Sequence, residues 1–460
     1  METEAEVFEP LELHYSDLVL LSSSRAASSS SSSEERERIE FVSSAVMKAL
    51  GPLGPGLLAI TGVPKASDWR RNFLPLARKL ALLSKKERAQ VLKDNGLGSD
   101  VPMKNLDRSV SSFAMQLKYE QFSILESESP ISNNGKEGSH EQQLIGQMFK
   151  ELGLCMIKLG LQLAQLCDKV IGGGELGQNI LDAGTAKARL IHYHSVLDNL
   201  ILKQENKRTK KSISKASPIT PSLTNLHVSA SLDDKVLPKF IRDVEDYQLL
   251  CSKISPEFSH VRKYFSNLWQ QWHYDYGIFT ILTSPLFMSS CGTNDSSCVT
   301  DCSSLHEHTY LQLFDSTNDR VLLVKAAPGS FIIQVGESAD ILSNGKLRSS
   351  LHSVGRPSEI ESLSRETFVV FLQPSWNKVL PIPSYLMDAK AKDEKPCINS
   401  DASIVGHMGG SGGLRHLVQG IFRKIPPLSS RLRRGMTFAE FSRETTKQYY
   451  GGSGTQSGGK

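Results

Sequence analysis

Between about residues 255 and 390 the chain keeps returning to short apolar runs, FTILTSPLF, TYLQLF, RVLLVKAAPGSFIIQVG and FVVFLQP, separated by glycine, proline and asparagine. Runs of this kind, closed by turn residues, form strands that pair with one another; a parallel α/β sheet needs strands alternating with helices. The expected core is therefore mainly β, a jelly roll or a barrel. No GxGxxG or GxxxxGK stands between a strand and a helix, so a dinucleotide or P-loop fold has no support.

Upstream the period changes. The serine run before EERERIEFV predicts an N-cap and a helix from near Glu34. GLLAITGVP reads as a short buried strand. From Ala66 the chain reads as helix, with Trp69, Phe73, Leu76, Leu80 and Leu82 as its stripe. After a polar loop at 122–140, Leu144, Met148, Leu152, Cys155, Leu159, Leu163, Leu166 and Val170 recur at three- and four-residue steps, which predicts a long helix packed on a core. Cys155 and Cys167 on it read as small buried hydrophobes. AKARLIHYHS (186–195) is strand-like, and helices are expected at 414–423 and 437–447.

The 460 residues allow a large core, and 53 Lys+Arg against 49 Asp+Glu leave a net charge of +4, too balanced to argue for nucleic acid. No apolar run approaches the roughly eighteen residues of a membrane span, and the acidic start METEAEVFEP has no basic leader or apolar signal segment. No membrane association is expected, and the expected location is cytoplasmic, with the nucleus as the alternative. Seven cysteines fit reduced thiols.

HYDYGIFTIL (273–282) heads one apolar run with a histidine and an aspartate two apart. On a strand both side chains share a face, so His273 and Asp275 are either a metal-ligand pair or the polar edge of a strand. A second histidine and a carboxylate would make a facial triad that leaves Fe(II) positions open. His352 is on offer after the Asn-Gly turn of DILSNGKLRSSLHSV. Arg365 and Thr367 stand two apart in SRETFVV, a guanidinium fork beside a hydroxyl that suits a carboxylate.

Together these segments resemble a family. HYDYGIFTIL is similar to the HxDxGxxTxL element of the plant-type Fe(II)/2-oxoglutarate-dependent dioxygenases, which resemble isopenicillin N synthase. LSNGKLRSSLHSV resembles that family's SNGxxKSxxHRV, RET its RxS, and PGSFIIQVGE its PGSxVVNxGD. The resemblance spans roughly 42–120 and 186–385. It implies a double-stranded β-helix, the cupin-like jelly roll, with an N-terminal helical region and helical or loop insertions. It also implies Fe(II) and 2-oxoglutarate as cofactors and O2 as cosubstrate, with oxidative decarboxylation to succinate and CO2 coupled to hydroxylation or desaturation. By the same resemblance His273, Asp275 and His352 are the iron ligands, and Arg365 and Thr367 bind the distal carboxylate of 2-oxoglutarate. Tyr193 assists; ARLIHYH resembles LRxNxYP, with Ile191 and His194 in place of the asparagine and proline. Asp275 stands where related halogenases lack a carboxylate, so halogen transfer is not expected.

The organisation expected is an N-terminal helical region at 1–120, a linker and packing helix at 121–185, the catalytic core at 186–390 with insertions at about 196–265 and 288–308, and a C-terminal extension at 391–460 with a disordered end. Lys203, Lys207, Arg208, Lys210, Lys211 and Lys215 of the first insertion read as a solvated loop or as a contact for nucleic acid or protein. Cys291, Cys298 and Cys302 with His306 or His308 are a zinc candidate of unusual spacing. The expected partner is a small organic substrate and the expected state a monomer. Rival functions are a catalytically weak binding or regulatory protein on the same fold, a relative independent of 2-oxoglutarate, and an oxygenase directed at nucleic acid.

Overall fold

Two three-residue strands, β1 (Glu6–Phe8) and β2 (Glu12–His14), lead into helices α1 (Tyr15–Ser22) and α2 (Ser33–Leu50), the latter with Glu34 and Glu35 in its first turn as the helix dipole favours. The computed structural model describes residues 5–22, 33–99, 108–120, 140–213, 267–290, 299–303, 306–315, 318, 320–357, 360–391 and 425–450. Most of the 122–140 loop, Lys215, Cys291, Cys298, the 414–423 helix and the last ten residues lie outside them.

GLLAITGVP contributes the buried strand β3 (Leu57–Thr61). The single helix expected from Ala66 is instead three, α3 (Ala66–Asn72), α4 (Pro75–Leu82) and α5 (Lys85–Asp94). Proline has no N–H to donate and is tolerated only in a first turn, so Pro75 starts α4. Ser84 and Glu87 form a capping box that starts α5. Next come β4 (Gly98–Ser99), β5 (Val110–Lys118), the long α6 (His140–Ile171), α7 (Glu175–Ala183), β6 (Thr185–Tyr193) and α8 (Val196–Ile213). The start of the basic insertion is therefore helix and not loop. Ser195 Oγ accepts from the Asp198 amide while Asp198 Oδ2 accepts from the Ser195 amide, which caps α8.

The strands of the second half are β7 (Leu268–His273), β8 (Phe279–Thr283), β9 (Leu286–Ser290), β10 (Val299–Asp301), β11 (Leu311–Asp315), β12 (Arg320–Val324) and β13 (Phe331–Val335). A short helix α9 (Glu337–Leu342), strands β14 (His352–Gly355) and β15 (Leu363–Leu372), and helices α10 (Ser384–Ala391), α11 (Leu428–Arg431) and α12 (Phe438–Tyr450) follow. The last of these matches the helix expected near 437–447.

Two sheets stack as a jelly roll. The smaller runs β1-β12-β11-β14-β7; the larger runs β2-β3-β13-β8-β15-β6-β5-β4, with β9 also paired to β15 and β10 to β9. Between them lies one apolar cluster, with Trp269, Leu311, Leu313, Leu322 and Val354 from the small sheet against Ile191, Tyr193, Leu282, Ile332 and Val369 from the large one. The other face of the large sheet is covered by helices. Alternation along β15 sends Val369 inward and Phe368, Val370 and Leu372 to the helix side. There α6 crosses the sheet, and Phe368 meets Phe149 edge-on at 4.8 Å between ring centroids. Gly153 and Gly160 allow the close approach, since a Cβ would collide with Leu117 at the first and with Leu372 and Ile281 at the second. Leu152, Leu159, Leu163 and Leu166 are buried as expected, and Val170 in the last turn is exposed. Cys167 is buried and Cys155 half-buried. Among the described residues no helix is long and apolar enough to cross a membrane.

Candidate metal and cosubstrate site

His273 ends β7 and His352 begins β14, and the two are paired directly across these antiparallel strands. Asp275 is not on the strand with His273. It lies in the turn before β8, so shared-face alternation does not bring it in, and the turn does. The Asp275 carbonyl accepts from the Glu337 amide at 2.7 Å, the Gly277 carbonyl accepts from Ser338, and a Cβ at Gly277 would stand 2.7 Å from the Leu372 carbonyl oxygen. Only glycine lets the chain leave β7 so tightly against β15.

The outcome is a convergent trio. One ligand atom from each of His273, Asp275 and His352 lies within 4.8 Å of the others. His273 Nε2 is 3.7 Å from Asp275 Oδ1, and His352 Nε2 is 3.7 Å from Asp275 Oδ2. Each imidazole has its Nδ1 against a main-chain carbonyl, Gln271 at 2.7 Å and Ser350 at 3.0 Å. A carbonyl only accepts, so Nδ1 carries the hydrogen and Nε2 keeps its lone pair, the tautomer a metal requires. Burial, then the neighbouring His352, pushes the His273 pKa down to about 4 and keeps it neutral. Burial alone would raise the Asp275 carboxyl, but His352, His273 and a 2.6 Å hydrogen bond from Thr280 bring it below its usual range. Two imidazoles that present Nε2 and an ionised carboxylate suit Fe(II).

Arg365 and Thr367 on β15 share the interior face, opposite Tyr193 and Ile191 of β6. The Arg365 side chain is buried, its Nε donates to the Thr309 carbonyl at 3.1 Å, and its guanidinium carbon sits 5.1 Å from the Tyr193 ring centroid. Its Nη2 is buried without a hydrogen-bond partner among the described residues. A buried cationic donor left unpaired is costly, and a carboxylate is the acceptor that would relieve it. The Thr367 hydroxyl is held to Thr283, 3.2 Å from both its side-chain and main-chain oxygens. These residues fit the 2-oxoglutarate that the resemblance implies.

Three neighbours were not anticipated. Thr280 is visible in HYDYGIFTIL five residues after Asp275. Arg189, two before Ile191, has its charge felt by His273 and Asp275 and stacks on Phe371. Gln270 bridges the Tyr193 hydroxyl and His273 Nε2, each at 2.9 Å; nothing in the strand's period announces it.

A second trio, His192, His194 and Asp198, is buried on the other face of β6. Its members already serve an ion network: His192 Nδ1 meets Glu366 at 2.8 Å, Asp198 pairs with Arg78 at 2.8 Å, and His194 Nε2 meets Ser111 at 2.7 Å. Of the zinc candidate, Cys291 and Cys298 lie outside the described residues. The Cys302 thiol faces the Phe287 carbonyl, and His306 and His308 contact Tyr310.

Residues 258–374 match the family model for the 2OG-Fe(II) oxygenase superfamily, a span that includes His273, Asp275, His352, Arg365 and Thr367. The matched segment is thus the one that carries the convergent trio and the buried guanidinium. A sequence search of curated proteins gives no match. Among solved structures, the chain is similar to a full-length Neurospora crassa protein in complex with alpha-KG, at 13% identity and a TM-score of 0.44, covering 89% of this chain and 95% of that one. It is also similar to the dioxygenase for auxin oxidation 1 of Arabidopsis thaliana, at 14% identity and a TM-score of 0.43, covering 83% and 98%. The dioxygenase for auxin oxidation in rice gives 13% identity and a TM-score of 0.41, covering 83% and 87%.

Proposed function

We propose that this chain couples oxidative decarboxylation of 2-oxoglutarate to hydroxylation or desaturation of a small organic substrate, with His273, Asp275 and His352 as the iron ligands. Arg365 and Thr367 take the distal carboxylate of 2-oxoglutarate, and Tyr193 flanks it. The motifs quoted above favour the isopenicillin N synthase-like branch. Bound iron supplies the oxygen activation; the chain orients the reactants and excludes water.

The observation that carries the reading is the convergence of two imidazole Nε2 atoms and a carboxylate beside a buried guanidinium nitrogen that has no hydrogen-bond partner among the described residues. Anaerobic titration with Fe(II) and 2-oxoglutarate, followed by visible absorption, tests it. A metal-to-cosubstrate charge-transfer band is expected in the wild type and not in His273→Ala. No band in the wild type would sink the cosubstrate reading, and a band unchanged by the substitution would sink the role of His273. Succinate formation without substrate separates an active enzyme from a binding protein.

A further inference from the structure

Strand β7 breaks the two-residue period twice. Against β14 it pairs Leu268 with Gly355, Gln270 with Val354 and His273 with His352. It therefore advances two residues where β14 advances one, then three where β14 advances two. Each extra residue is a bulge, and bulges re-aim side chains. Trp269 and Gln270 are adjacent, yet both turn inward: Trp269 packs with Tyr193 and Val354, and Gln270 Oε1 accepts from the Tyr193 hydroxyl. The second bulge leaves Gln270 and His273 side by side although they are three apart in sequence.

The orientation of the Gln270 amide is determined twice over. The His273 tautomer leaves Nε2 as an acceptor, so the amide must present its NH2 there, at 2.9 Å. Its oxygen is then free for the Tyr193 hydroxyl, whose ring lies against Arg365. One polar line thus runs from Arg365 through Tyr193 and Gln270 to His273. A metal on His273 takes the lone pair that the amide now uses. The N–H, still tethered through its oxygen to Tyr193, is left without an acceptor beside the metal, and an anionic oxygen is its strongest available partner.

We propose that Gln270 is a positioning residue for 2-oxoglutarate, its Tyr193-held amide donating to the metal-bound carboxylate end of the cosubstrate. This rests on His273 being a metal ligand, so the test separates the two ideas. Gln270→Met keeps the length and loses the donor; Gln270→Leu replaces it if the first variant does not fold. Each full-length protein is titrated anaerobically with Fe(II) alone and then with 2-oxoglutarate. Fe(II) affinity is expected to stay within about twofold or tighten. The dissociation constant for 2-oxoglutarate is expected to rise about tenfold, the loss of one hydrogen bond to a charged group, with a displaced charge-transfer maximum. An unchanged dissociation constant and maximum, with the band lost in His273→Ala, overturns the role of Gln270. A band that survives His273→Ala overturns the metal assignment beneath it.

Discussion

His273 and His352 face each other across the β7–β14 pair, ring centroids 4.3 Å apart, with both Nδ1 atoms turned onto main-chain carbonyls. Neither Nδ1 hydrogen bond runs across the pair, so removing one ring costs the fold a single hydrogen bond and some packing. His352→Ala is therefore expected to weaken Fe(II) or Mn(II) binding by at least about a hundredfold, beyond what loss of a supporting residue costs. Its metal-free melting temperature should fall by only a few degrees. Calorimetric metal titration and circular dichroism measure the two, and retained affinity would remove His352 from the ligand set.

Arg365 offers a donor that no group among the described residues uses. Arg365→Met keeps most of the volume, and the expected result is about a hundredfold weaker 2-oxoglutarate binding, two charge-assisted hydrogen bonds at about 1.5 kcal/mol each, with Fe(II) affinity kept. Ligand-dependent thermal stabilisation reads this directly, since a ligand that binds only the folded state raises the melting temperature. If 2-oxoglutarate protects the variant as it does the wild type, another cation anchors the distal carboxylate.

How far the site could be read from sequence depended on period. The β core was legible because its runs are short and closed by turns, and the trio because its residues sit in or beside those runs. The partners of β3 and β5 were not legible: a buried strand's pattern does not say which sheet it joins, and both complete the large sheet from the N-terminal part. The Ser195–Asp198 cap that starts α8 stood in HYHSVLD but was hidden by the basic residues after it. Asp275 was expected on a strand, whereas a glycine-dependent turn carries it. Gln270 was invisible because bulges have no composition signal, and they decide which way a side chain faces.

The network behind β15 makes stability depend on pH. Burial would lower the His192 pKa, but Glu366 and Asp198 outweigh it and raise it to about 9 from an ordinary 6.5. A folded-state pKa above the unfolded one stabilises fully below about 6.5, and that contribution is lost as pH rises through 9. His194 works in the opposite window. Burial, then His192, holds it well below 6.5, so its contribution is lost as pH falls. Urea unfolding between pH 6.5 and 9.5 should show a decline on the order of 3 kcal/mol, absent in His192→Gln. A flat wild-type profile would show that His192 is not ionised in the folded protein.

The C-terminal helices reach the metal site through one buried ion pair. Arg431 and Glu337 are 1% and 3% exposed; the guanidinium donates to both carboxylate oxygens and to Thr445, and stacks on Tyr449 with its carbon 5.1 Å from the ring centroid. Glu337 in turn donates its amide to the Asp275 carbonyl, so the residue that Arg431 holds also shapes the turn that carries a proposed ligand. Removing one partner of a buried pair leaves an uncompensated charge, which costs about 3–5 kcal/mol. Arg431→Met should lose that much in chemical denaturation and bind Fe(II) more weakly. Arg431→Met combined with Glu337→Gln should recover part of both, because the stranded charge is gone. Lost stability in Arg431→Met with Fe(II) affinity unchanged would mean that Arg431 acts on the fold alone and that the Asp275 turn is set without it.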